Sequence, residues 1–328
     1  MKVAVLGYGF MGAAHLNAFQ RIDGVEVIAV SSRVRPSASG PIRGNMDLQS
    51  GPLPDDVVWH SDWRSIIADP EIDIVDICLP TDLHREVVLA ALAAGKHVLC
   101  EKPMALTTAD CSELLAAAKT SGRIFMVAQV LRFMYPYRYA SKFIEEAGRD
   151  NIAQCVLRRS TGYPQWGSWL VEKKRSGGAI LDLLSHDLDQ ALSLFGEPQS
   201  LRANSIGPVD TMRAILRYED GLVVTVEGGW LSSDALFSAG FEIQTKNNVL
   251  LTFQNNVLSR NEGKDETCLV EIPHHDPYFD EIAYFVDCCR RGASPTLCLP
   301  SESVQTVELS LQLMASRDAN GMEFIWKM

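Results

Sequence analysis

Residues 2–12, KVAVLGYGFMG, set a run of apolar residues directly against a G-x-G-x-x-G turn. KVAVL reads as a strand buried on both faces, and the residues after the glycines carry the apolar spacing of a helix over 11–21. A strand, a glycine turn and a helix in that order open a βαβ unit, so the chain is bound to a parallel sheet covered by helices. In such a turn Gly7 permits the tight bend, Gly9 lets a ligand approach the backbone, and Gly12 lets the helix lie close to the strand. The first helical N–H groups then face an anion. Gly7, Tyr8, Gly9, Phe10, Met11 and Gly12 are therefore candidate contacts of a dinucleotide pyrophosphate. The bland alternative, glycines that only shape a turn, weakens because strand and helix both stand in the right order.

The rhythm continues to about residue 128. Strand patterns fall at 25–30, 72–79, 97–100 and 124–128, with helical patterns at 83–94 and 107–120. Continuous apolar strands alternating with helices describe a doubly wound parallel sheet. The stretch 33–56, rich in Pro, Gly and Ser, interrupts it where a helix is expected. Beyond residue 130 the pattern changes. A helix at 137–147, a strand at 152–160 and a long helix at 178–195 precede recurrent short strands between 200 and 271, and helices at 279–291 and 301–317 follow. Turn signals such as EDG and NEG between those strands predict an antiparallel sheet, hence an α+β second domain.

Composition narrows the partners. With 328 residues, 47% of them hydrophobic, the chain can bury two cores. A net charge of −11 argues against nonspecific nucleic-acid binding and against an anionic membrane face. No apolar run is long enough to span a bilayer and no leader pattern opens the chain, so the reading expects a cytoplasmic protein with neither nucleic-acid nor membrane partner. The eight cysteines form no CxxC pair and read as free thiols; the adjacent Cys288 and Cys289 sit in a helical pattern.

Four further places carry chemistry. About 20 residues beyond the glycines an acid would grip the ribose 2′-OH of NAD, yet Ser32 stands there, followed by Arg33. A hydroxyl and a guanidinium suit a 2′-phosphate, so NADP is expected over NAD; a solvated loop with chance arginines is the alternative. Leu79 and Pro80 end a strand, with His84 opening the next helix toward the cofactor or packing on it. Glu101 and Lys102 close the strand HVLCE, at the carboxyl end where ligands of such sheets bind; there a lysine can steady a reacting oxygen. Finally, Asp182 and His186 lie four apart in a helical pattern and would share one face, a carboxylate beside a residue able to move a proton near neutral pH. A metal reading of that pair lacks a third ligand nearby, and no metal is expected.

Taken together, GYGFMGAAH, DWRSIIADPEIDIVDICLP, HREVVLAALAAGKHVLCEKPMALT and SGGAILDLLSHDLDQALSLFG resemble the Gfo/Idh/MocA oxidoreductases, over most of the chain. The resemblance implies a Rossmann domain over residues 1–125 and, over 126–328, a substrate-binding and oligomerisation domain with an open, mostly antiparallel sheet. It implies that Lys102, Asp182 and His186 are catalytic. His186 would move the proton, Lys102 would hold the reacting oxygen, and Asp182 would bind a neighbouring hydroxyl or orient His186. It further implies hydride transfer between nicotinamide and a sugar, cyclitol or related polyhydroxylated substrate, and a homodimer or homotetramer. Gln129 joins the expected cofactor contacts, and Arg132, Trp166 and Trp169 are expected to line the substrate, although tryptophan is equally a core residue. Two rivals stand beside this reading: a cofactor-binding regulator without turnover, and a reductase of C=N or C=C bonds like the biliverdin reductases. Ser32 and the replacement of a GGG by Gly177-Gly178-Ala179 depart from the family pattern.

Overall fold

The computed structural model describes residues 1–36, 53–165, 167–207, 209–263 and 267–327. Contacts between Cα atoms divide the chain into two units. The first joins residues 1–130 to 276–304, and the second joins 131–275 to 305–328. The chain thus returns to its first unit late, where the sequence suggests a single cut near residue 125.

In the first unit, β1 (Lys2–Leu6), α1 (Phe10–Gln20), β2 (Glu26–Ser31), β3 (Val58–His60), α2 (Trp63–Ile67), β4 (Ile74–Ile77), α3 (His84–Ala93), β5 (His97–Glu101), α4 (Thr108–Ser121) and β6 (Phe125–Ala128) follow one another. The six strands lie in the order β3-β2-β1-β4-β5-β6 and every pair is parallel. The chain crosses from one side of β1 to the other between β3 and β4, which makes the carboxyl ends of β1 and β4 the switch point of the sheet. β4 and β6 are buried along their whole length, as sheets covered on both faces require. The sequence pattern overlooks the short β3 and α2; most of the 33–56 stretch lies outside the described residues. The returning helix α10 (Pro277–Arg291) belongs to this unit and packs on α1. Asp276 caps it by accepting the Tyr278 and Phe279 N–H groups, and Pro277 fits the first turn, where no N–H partner is needed.

The second unit opens with α5 (Tyr135–Ala147) and β7 (Ile152–Thr161), then four short helices: α6 (Ser168–Val171), α7 (Lys173–Ser176), α8 (Gly178–Asp182) and α9 (Ser185–Phe195). Strands β8 (Ser200–Asn204), β9 (Thr211–Arg217), β10 (Val223–Trp230), β11 (Ser238–Thr245), β12 (Leu250–Gln254), β13 (Val257–Asn261) and β14 (Thr267–Val270) follow. After α11 (Pro300–Asp318), β15 (Phe324–Ile325) adds an edge. The nine strands run β14-β13-β12-β11-β7-β10-β9-β8-β15, antiparallel except where β7 meets β10. Burial alternates along β7, so one face packs on helices while the other carries ion pairs of Arg158 with Glu227 and Glu242 and of Arg213 with Glu227.

The long helix expected over 178–195 is two helices. The Leu184 N–H reaches back to the Ala179 carbonyl, five residues earlier, and this widened turn ends α8 before α9 begins. Asp182 and His186 therefore sit on successive helices, not on one helical face.

Candidate active site

The glycine turn after β1 is built as a cradle. Gly7 adopts φ +99°, and a Cβ there would stand 2.3 Å from the Cys78 carbonyl oxygen. Its N–H and that of Tyr8 bond to the Ser31 carbonyl, which ties the turn to β2. A Cβ on Gly12 would stand 2.0 Å from the Gly7 carbonyl oxygen, so α1 lies hard against the turn. Gly9 is different: among the described residues nothing lies within 4 Å of the Cβ it lacks. It heads α1, whose first turn carries no acidic residue and no side-chain cap, and whose bonding starts with the Ala13 N–H on the Gly9 carbonyl. The N–H groups of Phe10, Met11 and Gly12 precede that first bond, as at any helix start. Donors and helix dipole thus converge on open space, a fit for a pyrophosphate. Tyr8 is half-buried, and burial raises its phenol.

At the end of β2 the Ser32 hydroxyl donates to the Val34 carbonyl at 2.7 Å and accepts the Trp59 indole N–H at 3.0 Å. Arg33 is exposed beside it.

The ends of β4 and β5 are joined by His84. Its Nδ1 lies 2.9 Å from the Pro103 carbonyl and its Nε2 2.8 Å from the Leu79 carbonyl. Burial lowers its pKa, so the neutral ring donates to one carbonyl at a time. Of the two placements the sequence left open for His84, toward the cofactor or packed on the helix start, the structure shows a buried strut between the Leu79-Pro80 turn and the loop that follows Lys102. Gln129, also buried, donates from Nε2 to Ser303 Oγ at 3.4 Å.

Beneath these strand ends lies a cluster absent from the sequence reading. His15 of α1 is fully buried, with Nδ1 3.1 and 3.0 Å from the two Asp76 oxygens and Nε2 3.2 Å from Glu101 Oε1. Cys78 Sγ is 3.5 Å from both His15 Nδ1 and Asp76 Oδ2. Glu281 of α10 is also fully buried, and neither oxygen has a hydrogen-bond partner among the described residues. Burial, the largest single influence, opposes a charged His15, but Asp76 and then Cys78 together outweigh it and hold the imidazole pKa well above its usual range. Burial and then the Glu101 charge push Glu281 well above the usual carboxyl range. Two signals could have found this cluster: an aspartate inside the apolar run IDIVDICL, and a histidine on the buried side of the first helix.

In the second unit the Asp210 carboxylate anchors α8. It accepts the Ala179 N–H at 2.9 Å and is itself held by Arg317 at 2.7 Å. A Cβ on Gly178 would stand 2.4 Å from that carboxylate, which accounts for a glycine ahead of Ala179. Asp182 ends α8 and His186 enters α9, both half-buried. Flanking His186, Asp187 is fully buried and paired with Arg159 at 2.7 Å. The Arg132 guanidinium bonds Asp189 through Nε (2.8 Å) and Nη2 (2.7 Å), so a carboxylate of the protein already holds part of it. Trp169 packs against the cluster of Leu170, Ala179, Leu183 and Trp230. Trp166 lies outside the described residues.

Comparison with known proteins identifies two matching regions. Residues 1–129 match the model of an oxidoreductase family with an NAD-binding Rossmann fold, and 137–250 match the GFO/IDH/MocA C-terminal domain. A levoglucosan dehydrogenase of Pseudarthrobacter phenanthrenivorans is 32% identical over 62% of this chain and 53% of its own. A myo-inositol 2-dehydrogenase of Thermotoga maritima is 24% identical over 90% of both chains. An NADP(+) scyllo-inositol 2-dehydrogenase of Bacillus subtilis is 30% identical over 62% of this chain and 54% of its own. The matched stretch thus spans about half the length of the first and third. A solved levoglucosan dehydrogenase in complex with NADH and levoglucosan superposes with a TM-score of 0.82 over all of both chains at 23% identity, a likeness of fold.

Proposed function

The chain belongs to the Gfo/Idh/MocA oxidoreductase family, and from that premise we propose that it is an NAD(P)-dependent dehydrogenase or reductase acting on a CH–OH carbon of a sugar, cyclitol or related polyhydroxylated molecule. The observation that carries the reading is the open backbone at Gly9, at the head of an acid-free, uncapped helix, in the same parallel sheet whose β5 ends at Glu101-Lys102. The named relatives act on sugars and inositols, which supports the substrate class.

The nicotinamide, when bound, supplies or accepts the hydride. The remaining steps belong to side chains. Lys102 would hold the reacting oxygen and stabilise negative charge as it develops there. His186 would take the hydroxyl proton during oxidation and return it during reduction. Asp182 would bind a neighbouring hydroxyl or orient His186. Trp169 and Arg132 would line the substrate, Arg132 from its pairing with Asp189.

NADP is the preferred cofactor in this reading. β2 ends without a carboxylate to repel a 2′-phosphate, and Arg33 is exposed there. The protein would work as a homo-oligomer, in the cytoplasm. No helix among the described residues is long and apolar enough to cross a membrane.

The test has two parts. Thermal-shift titration with NADPH and NADH should give a midpoint rise with both and the larger rise with NADPH. Lys102→Met should keep that rise and lose at least about 100-fold in turnover of levoglucosan or myo-inositol, the scale of removing one charge-stabilising donor. Unchanged turnover would refute the role of Lys102, and no response to either nucleotide would refute the function.

A further inference from the structure

We propose that His15 is a positioning residue for the proposed reaction, acting through the Glu101 carboxylate on the backbone and hence the side chain of Lys102. The inference rests on the assignment of Lys102 as the residue that holds the reacting oxygen.

The geometry is a chain of contacts within the first unit. Asp76 grips His15 Nδ1 with both oxygens. That grip fixes the ring with Nε2 3.2 Å from Glu101 Oε1, an ion-pair contact rather than a hydrogen bond. The other oxygen, Glu101 Oε2, accepts the Lys102 N–H at 3.1 Å. One carboxylate thus touches the buried imidazole on one side and the backbone of Lys102 on the other. The Glu101 side chain is 12% exposed, against none for His15 and Asp76, so the contacts run from the core toward the strand end.

The electrostatics agree with the geometry. The groups facing His15 are Asp76 and Cys78 of β4, Glu101 of β5 and Glu281 of α10. Burial disfavours the Glu101 carboxylate, yet His15 first and Lys102 second lower its pKa, so it stays charged. A charged acceptor holds an N–H more firmly than a neutral one. Burial first and the Glu101 charge next raise the Glu281 carboxyl well above its usual range, while the His15 charge acts the other way, so Asp76 and Glu101 are the carboxylates that contact the imidazole.

A purely structural reading, a buried histidine that satisfies a buried aspartate, accounts for Asp76 but not for the second carboxylate. A metal reading is also open to test, since His15, Asp76 and Cys78 form a compact donor group. The near-equal distances from Nδ1 to both Asp76 oxygens are those of an N–H shared between them, and favour a proton there.

The experiment compares His15→Asn and Glu101→Gln with the wild-type chain. Asparagine retains a donor toward Asp76 but is too short to reach Glu101. Glutamine at 101 leaves the Asp76–His15 pair intact and, near the cluster's exposed edge, threatens folding least. Amide exchange at Lys102, measured on the chain without cofactor, should rise about tenfold in both variants; Pro103 has no N–H, which simplifies the assignment. With levoglucosan or myo-inositol and NADP+, kcat should fall about 10- to 100-fold while KM and the cofactor Kd stay within about threefold, as expected when a reacting group is misplaced by about 1 Å. In a Lys102→Arg background the same substitutions should lower kcat far less, because they act through Lys102. Wild-type exchange and kcat in folded Glu101→Gln, full additivity with Lys102→Arg, or one equivalent of tightly bound metal in the purified chain would each overturn the inference. Lys102→Met inactive with Glu101→Gln unaffected refutes this inference alone; Lys102→Met fully active refutes the proposed role of Lys102 with it.

Discussion

Alanine placed separately at Gly9 and at Gly12 should divide cofactor binding from folding. On Gly12 the new methyl would stand 2.0 Å from the Gly7 carbonyl oxygen, backbone against backbone, so α1 must shift away from the turn. Overpacking of that kind costs about 1–3 kcal/mol. On Gly9 the methyl meets nothing within 4 Å among the described residues, and φ −101° suits any residue. Loss of a glycine cap and gain of a stiffer unfolded chain oppose one another, so stability should stay within about 1 kcal/mol. The methyl would, however, occupy the space a pyrophosphate needs. Thermal shift with NADPH reads both effects. Ligand at about 100 times Kd stabilises the native state by about 2.7 kcal/mol, or about 5–11 °C for a unit of this size. A 100-fold weaker complex retains about 0.4 kcal/mol, near 1 °C. The expected outcome is a Gly9→Ala chain with a nearly normal midpoint and a response close to zero, and a Gly12→Ala chain with a depressed midpoint. A full NADPH response in Gly9→Ala would refute the cradle, and an undiminished midpoint in Gly12→Ala would refute the close packing of α1 on the turn.

Other substitutions test the remaining reasoning. Glu281 is raised well above the ordinary carboxyl range in the folded chain. Below that range both states hold the proton; above it the unfolded chain releases its proton first, so stability falls as pH rises until the folded pKa is passed. Glu281→Gln should therefore be more stable than wild type by a margin that grows with pH, at most about 1.4 kcal/mol per pH unit, and parallel denaturant-midpoint curves across pH would contradict this. Ser32→Asp should repel a 2′-phosphate and lower NADPH affinity about tenfold or more relative to NADH; an unchanged ratio in titration would show that Ser32 and Arg33 do not read the phosphate. His186→Ala should remove the limb of the kcat profile that titrates near neutral pH; a profile identical to wild type would exclude its acid–base role.

Much of the first unit was legible because its signals are local. A strand that must be buried on both faces carries no polar residue it can spare, and a turn that must let a backbone approach a ligand carries glycine. Residues 2–12 state both requirements within one short segment. The end of β5 at Glu101-Lys102 follows from the length of one apolar run. The antiparallel pairs of the second unit follow from turn residues between short strands. The helix break between Asp182 and His186 was not legible, since its apolar spacing continues unbroken while a single carbonyl, that of Ala179, captures the N–H five residues on.

What local pattern determined, then, was the parallel sheet, its glycine cradle, the lysine at a strand end and the change of architecture after residue 130. Tertiary structure decided which polar groups meet. It put His15 against Asp76, 61 positions away, turned His84 into a strut, gave Arg132 to Asp189, and returned residues 276–304 with Glu281 to the first unit. Periodicity records which face of an element is buried. The partner across that buried face is chosen by packing, and a buried charge is tolerable only where the packing supplies its counterpart.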